Sequence, residues 1–395
     1  MPGQVADRAE QLCARAIPIL ERLIAFDTTS NLSNLALIDW VERYLSGHGI
    51  EGRRVVSDDR HKANLLATVG PAAEGGVVLS GHTDVVPVTG QAWTSEPFEL
   101  TERAGRLYGR GSADMKGFIA LALAAVPDLI EAGVKRPAHL AFSYDEEIGC
   151  FGAPRMIDRI VRSVPRPALV VVGEPTSMEV VSAHKAIGFW RVTVTGREAH
   201  SSRTDLGVSA VMAAARLMGE LAAIAERLER DADPTSPFLP KGPTLTIGTV
   251  AGGTAGNILA RECVFVFDLR ALPDDASRAA LTPFFALAER MDAALKARAP
   301  EAGVLVEQLA EVPPLRAESG SEAEAFVRRL AGDNGPARAA SFASEAGQFQ
   351  GAGLPAVLCG PGSIDQAHQP DEYVDRAQLE RGAAFMVRLV EALAE

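Results

Sequence analysis

The sequence predicts an α/β protein in two domains, the smaller inserted into the larger. Three observations carry this expectation. Apolar strand-like runs alternate with helical segments up to Val172. Between Phe189 and Leu309 the order becomes strand, helix, strand, strand, helix, strand, a split βαβ sandwich complete in itself. After about Glu311 the first pattern resumes. The expected division is residues 1–187 with 311–395 for the large domain, and 188–310 for the insert. A chain of 395 residues is in any case too long for one ordinary core.

The elements follow from spacing. Residues 6–26 have helical periodicity, with Leu12, Ile17, Leu20 and Leu23 on one side, and Asp27-Thr28-Thr29-Ser30 ends that helix. A second helix fits 35–45, with Ile38, Val41 and Leu45 inward and Gly47 and Gly49 as its stop. Segments 64–69 and 77–80 read as strands, 115–129 as a helix, and 140–143 and 169–172 as strands. In the insert, 189–195 alternates sides and an alanine-rich helix covers about 207–228. Strands at 244–250 and 263–269 come next, then a helix at about 274–297 and a strand at 304–309. The Pro- and Asp-rich segment 231–242 is a loop. A strand at 354–359 and a helix at 377–394 close the pattern.

The formal net charge of -12 argues against nucleic acid, whose phosphates need a basic face. Cys13, Cys150, Cys263 and Cys359 lie far apart, with no CxxC pair to suggest a zinc finger or a disulfide framework. Asp7, Glu10 and Arg15 interrupt the N-terminal stretch, which therefore does not read as a signal peptide. No run is apolar enough to span a membrane, and a cytoplasmic protein is the expectation.

Five places set acids or imidazoles just beyond apolar strands. In VVLSGHTD, residues 77–84, His82 ends a strand and Asp84 follows two residues on. A carboxylate accepting from the second ring nitrogen fixes the tautomer of a metal-ligating histidine. Residues 109–117, GRGSADMKG, have the wrong glycine spacing for a phosphate loop, and Asp114 at the helix start would repel phosphate but suits a cation. Residues 142–149, FSYDEEIG, place three acids after a strand, which is costly unless water or a cation neutralises them. One glutamate there can hold a metal while its neighbour takes a proton from water. Glu174 follows the buried run 170–172, and His368 lies in the loop 360–370. Taken singly, each reads equally well as a turn histidine or a solvated acidic loop. Together they supply two imidazoles and four carboxylates at the edge where open α/β sheets bind ligands. Nitrogen and oxygen donors without thiolate suit zinc, with cobalt or manganese as substitutes. The glycine-rich segment 252–256 lacks the GK[ST] ending of a nucleotide-binding loop.

In this order, GHTDVVP, GRGSADMKG, DEEIGC, GEPT and GPGSIDQAHQPDEY resemble the M20 metallopeptidase family, from about residue 10 to the C-terminus. The resemblance implies a zinc-peptidase-like α/β sandwich with an inserted ferredoxin-like lid that makes a homodimer contact. It implies hydrolysis of a small N-acyl amino acid or dipeptide by an enzyme holding two zinc ions. His82 and Glu174 would bind one zinc, Glu147 and His368 the other, and Asp114 would bridge them. Asp84 would orient His82, and Glu146 would be the general base.

GREAHSS, residues 196–202, is similar to the family's GxxAHSS. The likeness makes His200 a group that reaches a neighbouring subunit's site and stabilises the oxyanion, whereas by its residues alone it is a turn histidine. Asn257 and Arg270 match lid positions that contact substrate, and Lys185 matches a basic position near the substrate carboxylate. The guanidinium fork of Arg270 suits a carboxylate. Glu345, in a stretch where relatives carry an acid, would face a cationic substrate side chain; its plain reading is a solvated loop glutamate. Ala186, Thr204 and Ser209 depart from the usual Gly, Pro and Asn, near the lid hinge and helix start and not among the ligands. A protein that has kept the fold and lost activity is the other class of reading, and both Glu146 and His200, whose loss would favour it, are present.

Overall fold

The computed structural model describes residues 2–395, which divide into two compact units. The larger is Met1–Ala183, Leu315–Arg338 and Ser344–Glu395, and the smaller is His184–Pro314 with Ala339–Ala343. The smaller unit extends past 188 and 310 because its first and last strands, Ala186–Thr195 and Gly303–Val312, outrun their apolar centres.

The larger unit is built on a six-stranded sheet in the order Gly52–Val56, Ala63–Val69, Ala138–Ser143, Val77–His82, Leu169–Pro175, Ala356–Gly360. The last four run parallel, and the first two are antiparallel additions. Buried parallel strands read as apolar runs, as 77–79 and 169–172 do within Val77–His82 and Leu169–Pro175. Gly52–Val56, an edge strand with two arginines, gives no such signal. The helices Pro2–Ile24, Gly117–Ala124 and Arg376–Ala394 pack together, and every residue of Gly117–Ala124 is buried. The helix expected at 115–129 is interrupted: Ser112–Lys116 is an irregular turn, and a break at Ala125 precedes Val126–Glu131. Pro127 sits in the first turn of the new segment, where its missing N–H costs nothing.

The smaller unit has one antiparallel sheet of four strands in the order Thr244–Gly252, Glu262–Ala271, Ala186–Thr195, Gly303–Val312. In chain order that is second, third, first, fourth, the ferredoxin-like arrangement. Cys263, Phe265, Phe267, Leu269 and Ala271 alternate inward, and the helices Ala210–Arg230 and Thr282–Arg298 pack on the sheet. Ser209 caps the first helix by accepting from the Met212 N–H at 3.3 Å, so this serine is itself a good helix start. The helix expected at 274–297 is two pieces, Asp275–Ala279 and Thr282–Arg298. Phe265, Phe267 and Phe284 are fully buried, with Trp190 stacked on Phe267 at 5.2 Å. Truncating Phe267 to alanine would cost about 3–5 kcal/mol.

Candidate active site

Parallel pairing aligns the candidate ligands of the larger unit. Ser80 pairs with Val172 and His82 with Ser143. Carrying that register two residues further brings His82 level with Glu174, and the acids 145–147 begin just past Ser143. Gly173 has no side chain because the Phe118 ring occupies the space a Cβ would need, at 2.0 Å. Asp114 lies in the irregular turn before Gly117–Ala124, and its peptide bond to Met115 is cis. His368 comes from the loop after Ala356–Gly360, with a left-handed φ of 64°.

These side chains meet. His82 Nε2 is 2.9 Å from Asp114 Oδ1, while Asp114 Oδ2 is 3.4 Å from His368 Nε2. His368 Nε2 is also 2.9 Å from Glu147 Oε2. His82, Asp114 and Glu147 each offer a ligand atom within 4.8 Å of the others, a cluster able to hold a metal ion. Glu174 is buried, and its Oε1 has no hydrogen-bond partner. A buried acceptor without a partner is expensive; a cation beside Glu174 would satisfy it. His82, Asp114, Glu147 and His368, with Glu174 level with His82 on the next strand, offer nitrogen and oxygen donors of the kind that suits a hard or borderline divalent metal.

The electrostatics agree. Burial and the charges of Asp114 and Glu146 hold the Glu174 carboxyl far above the usual carboxylate range. Burial and then Asp114 push Glu147 up to about 7. Hydrogen bonds to Asp114 and Glu147 push His368 up to about 10. Burial opposes a charge on Asp114, yet the His368 and His82 hydrogen bonds outweigh it and keep this carboxyl low. The cluster is therefore short of positive charge, and cation binding would displace protons from it.

Glu146 stands beside these groups with a different set of contacts. Its Oε1 accepts from the Cys150 thiol at 3.3 Å, and burial raises its carboxyl well above the usual range. A carboxyl of raised pKa next to a metal cluster is suited to proton transfer.

Three candidates make contacts that spacing did not suggest. Asp84 meets His82 through its main-chain oxygen, 2.9 Å from Nδ1, while its carboxylate is 3.7 Å away. That carboxylate instead accepts the N–H groups of Glu146 and Glu147 at 3.2 and 3.3 Å and the Ser30 hydroxyl at 2.7 Å. Asp84 thus fixes the acidic loop as well as the ring. Glu345 is not a solvated loop glutamate, and its Oε1 has no hydrogen-bond partner. It is 1% exposed, and its Oε2 accepts from Ser80 at 3.2 Å. Lys185 is fully buried, with its ammonium donating to the carbonyls of Pro240 at 2.9 Å and Gly242 at 2.6 Å. It anchors the loop 231–242.

The remaining candidates belong to the smaller unit and sit at opposite ends of its sheet. Exposed His200 follows Ala186–Thr195, pairs with Ile258 and lies beside the Asn257 loop, whose carbonyl accepts from Ser201 at 2.9 Å. Arg270 pairs in register with Ile187 at the other end, and its Nε donates to Asp268 at 3.0 Å. Ten-residue strands put these ends roughly 30 Å apart. Arg110, Gln91 and Glu372, whose partnership no motif or spacing marks, tie together the loops carrying Asp114 and His368.

Residues 78–392 match the profile of the Peptidase family M20/M25/M40. The chain is similar to the acetylornithine deacetylase of Proteus mirabilis, 35% identical over 93% of this chain and 92% of that one. Its fold is similar to human carnosine dipeptidase 1, with a TM-score of 0.75, 16% identity and full coverage of both chains. A dinuclear metal binding peptidase of the M20 family from Bacillus subtilis superposes with a TM-score of 0.61 at 15% identity, over 97% of this chain and 99% of that one. A family profile spanning most of the chain and a cluster of side chains able to hold a metal at the sheet's C-terminal edge lead to one assignment: the chain belongs to peptidase family M20, a family of metal-dependent amidohydrolases.

Proposed function

We propose that the chain hydrolyses N2-acetyl-L-ornithine to L-ornithine and acetate, a step of arginine synthesis, as a cytoplasmic homodimer with two zinc ions per subunit. The observation that carries the chemistry is the meeting of His82, Asp114, Glu147 and His368, with buried Glu174 level with His82 on the next strand and Glu146 beside the cluster. The substrate rests on similarity to relatives named acetylornithine deacetylase, 31–35% identical over most of their length.

His82 and Glu174 would hold one ion, Glu147 and His368 the other. Asp114 would serve both, and its two oxygens face different histidines. Bound there, zinc polarises the amide carbonyl and makes water acidic enough to attack near neutral pH. Glu146 takes the proton of the attacking water and returns it to the leaving nitrogen. Asp84, by holding the N–H groups of Glu146 and Glu147, keeps one glutamate for the metal and its neighbour for the proton. His200 supplies a donor to the oxyanion from a second subunit, with Asn257 beside it, and Arg270 offers its fork to a carboxylate.

A substrate panel tests this. N-acetylornithine should be turned over with a higher kcat/KM than N-succinyl-diaminopimelate, dipeptides or neutral N-acetyl amino acids by zinc-loaded protein. Preference for one of the others would move the chain to another activity of the same family. No hydrolysis of any of them, with zinc verified, would remove the enzymatic reading.

A further inference from the structure

We propose that Glu372, acting with Arg110 and Gln91, is a positioning residue that locks the loop carrying Asp114 to the loop carrying His368 and so preorganises the metal centre. The proposal rests on reading that cluster as a metal centre.

Strand pairing creates the juxtaposition. Arg106–Tyr108 and Tyr373–Asp375 are antiparallel, with Tyr373 opposite Tyr108, and the Gly109 N–H donates to the Glu372 carbonyl at 2.9 Å. Arg110 follows the first strand and Glu372 precedes the second, so the two side chains face each other across the end of the ladder. Both are 1% exposed. Arg110 Nη1 donates to Glu372 Oε2 at 2.6 Å, and the Gly111 N–H donates to the same oxygen at 3.1 Å. The N–H groups of Ala113 and Asp114 both donate to Oε1 at 3.0 Å.

Each carboxylate oxygen thus has two donors, and three of the four are main-chain groups of the turn that presents Asp114. Glu372 lies close to the cluster with its lone pairs taken and is no rival ligand for the cation. The other side of the clamp ends on the His368 loop. Arg110 Nη1 reaches the Gln369 carbonyl at 3.3 Å, and Nη2 donates to Gln91 Oε1. Gln91 Nε2 in turn donates to the His368 carbonyl at 2.8 Å. Arg110 also lies over the Trp93 ring, 5.1 Å from its centre. His368 has a left-handed backbone that histidine rarely adopts, so neighbours must hold it.

An isolated buried ion pair does little for stability, since desolvation offsets the attraction. A purely structural pair would also have no reason to join the turn that presents Asp114 to the loop that carries His368. Groups that orient metal ligands tune affinity, and that is the property to measure.

The experiment compares wild type, Glu372→Gln, Gln91→Ala and Leu45→Ala. Leu45 is buried in the helix Leu35–Gly47 and serves as a core truncation among none of these contacts. Zinc affinity is read by competition with a chromophoric chelator, cobalt geometry by the visible spectrum of cobalt-loaded protein, and folding by thermal unfolding of stripped protein. Glu372→Gln should weaken zinc binding about 10- to 100-fold and alter the cobalt spectrum. Gln91→Ala, from a partly exposed loop, should give a smaller loss in the same direction with an unchanged unfolding temperature. Leu45→Ala should lower the unfolding temperature and leave zinc affinity alone. If Glu372→Gln does not fold, Gln91→Ala decides. Wild-type zinc affinity and spectrum in both clamp variants would overturn the clamp alone. A wild type that binds neither ion would overturn the metal-centre reading, and the clamp with it.

Discussion

The two units place their candidate residues in opposite ways. In the larger, residues from five separated stretches of chain, His82, Asp114, Glu147, Glu174 and His368, come together or to the same strand edge. In the smaller, His200 and Asn257 stand at one end of the sheet and Arg270 at the other. Topology explains the difference. Parallel strands release all their following loops at one edge, so acids placed after them converge. Antiparallel strands release successive loops at alternate ends, so a site cannot be assembled from both ends of one such sheet. The larger unit gathers side chains able to hold a metal, while the candidates of the smaller unit are divided between the two ends of its sheet.

The sharpest way to break this contrast is Glu146→Gln. If the larger unit holds both metal and base, turnover should fall about 10²- to 10⁴-fold while bound zinc stays at the wild-type level. Metal analysis and kcat on the same preparation check this. Near-normal turnover with full metal would show that the base lies elsewhere.

His200→Ala probes the other side. Loss of one oxyanion donor should lower kcat about 10²- to 10³-fold without changing zinc content. If His200 serves a second subunit's centre, mixing this variant with Glu146→Gln should restore activity. Half of the mixed dimers would pair the two variants and each would own one intact site, giving about a quarter of wild-type activity. No recovery after subunit exchange is verified would mean that His200 does not act across a dimer.

What the sequence could reveal follows the same division. His82, Glu147 and Glu174 are legible because an acid or imidazole directly after a buried apolar strand is unusual and costly. The split βαβ order of the smaller unit is legible because its strands alternate and its helices are long. Partnerships are not legible. Spacing cannot show that Asp84 meets His82 with its carbonyl and the acidic loop with its carboxylate. Nor does it show that Lys185 ends on Pro240 and Gly242, or that Glu345 lies in the core under Ser80. Arg110 and Glu372 are 262 residues apart in sequence, and only the pairing of two three-residue strands brings them together. Short strands and helix breaks such as that at Ala125 carry too few residues for periodicity to register.

Acid should act on both units alike, which limits how far the contrast extends. His139 in the larger unit and His184 in the smaller are fully buried, and burial lowers each imidazole to about 4. An unfolded histidine titrates near 6.5, so between those values the unfolded chain binds more protons than the folded one. Stability therefore falls as pH drops through that window, by up to roughly 3 kcal/mol per histidine, and levels off below it. Calorimetry from pH 7 to 4 on wild type and His139→Gln should show a shallower loss in the variant. Equal slopes would mean that His139 is not the proton acceptor.

Lys185→Met gives the smallest effect and separates two readings of one residue. As a substrate contact, Lys185 would leave folding intact when removed and would raise KM. As an anchor, its loss strands the carbonyls of Pro240 and Gly242, while methionine keeps an apolar side chain in place of the lysine stem; the ammonium it removes lies 5.9 Å from the centre of the Phe238 ring. Two acceptors losing a charged donor, set against the relief of no longer burying an ammonium, leave a net loss of about 1–2 kcal/mol. Burial already lowers this amine to about 8, which shows how strongly the site resists the charge. The expected result is a modestly lower unfolding temperature and faster proteolysis within 231–242, with KM for N-acetylornithine unchanged. A raised KM at unchanged stability would return Lys185 to the substrate, and the smaller unit would then offer two neighbouring cations, Lys185 and Arg270, at one end of its sheet.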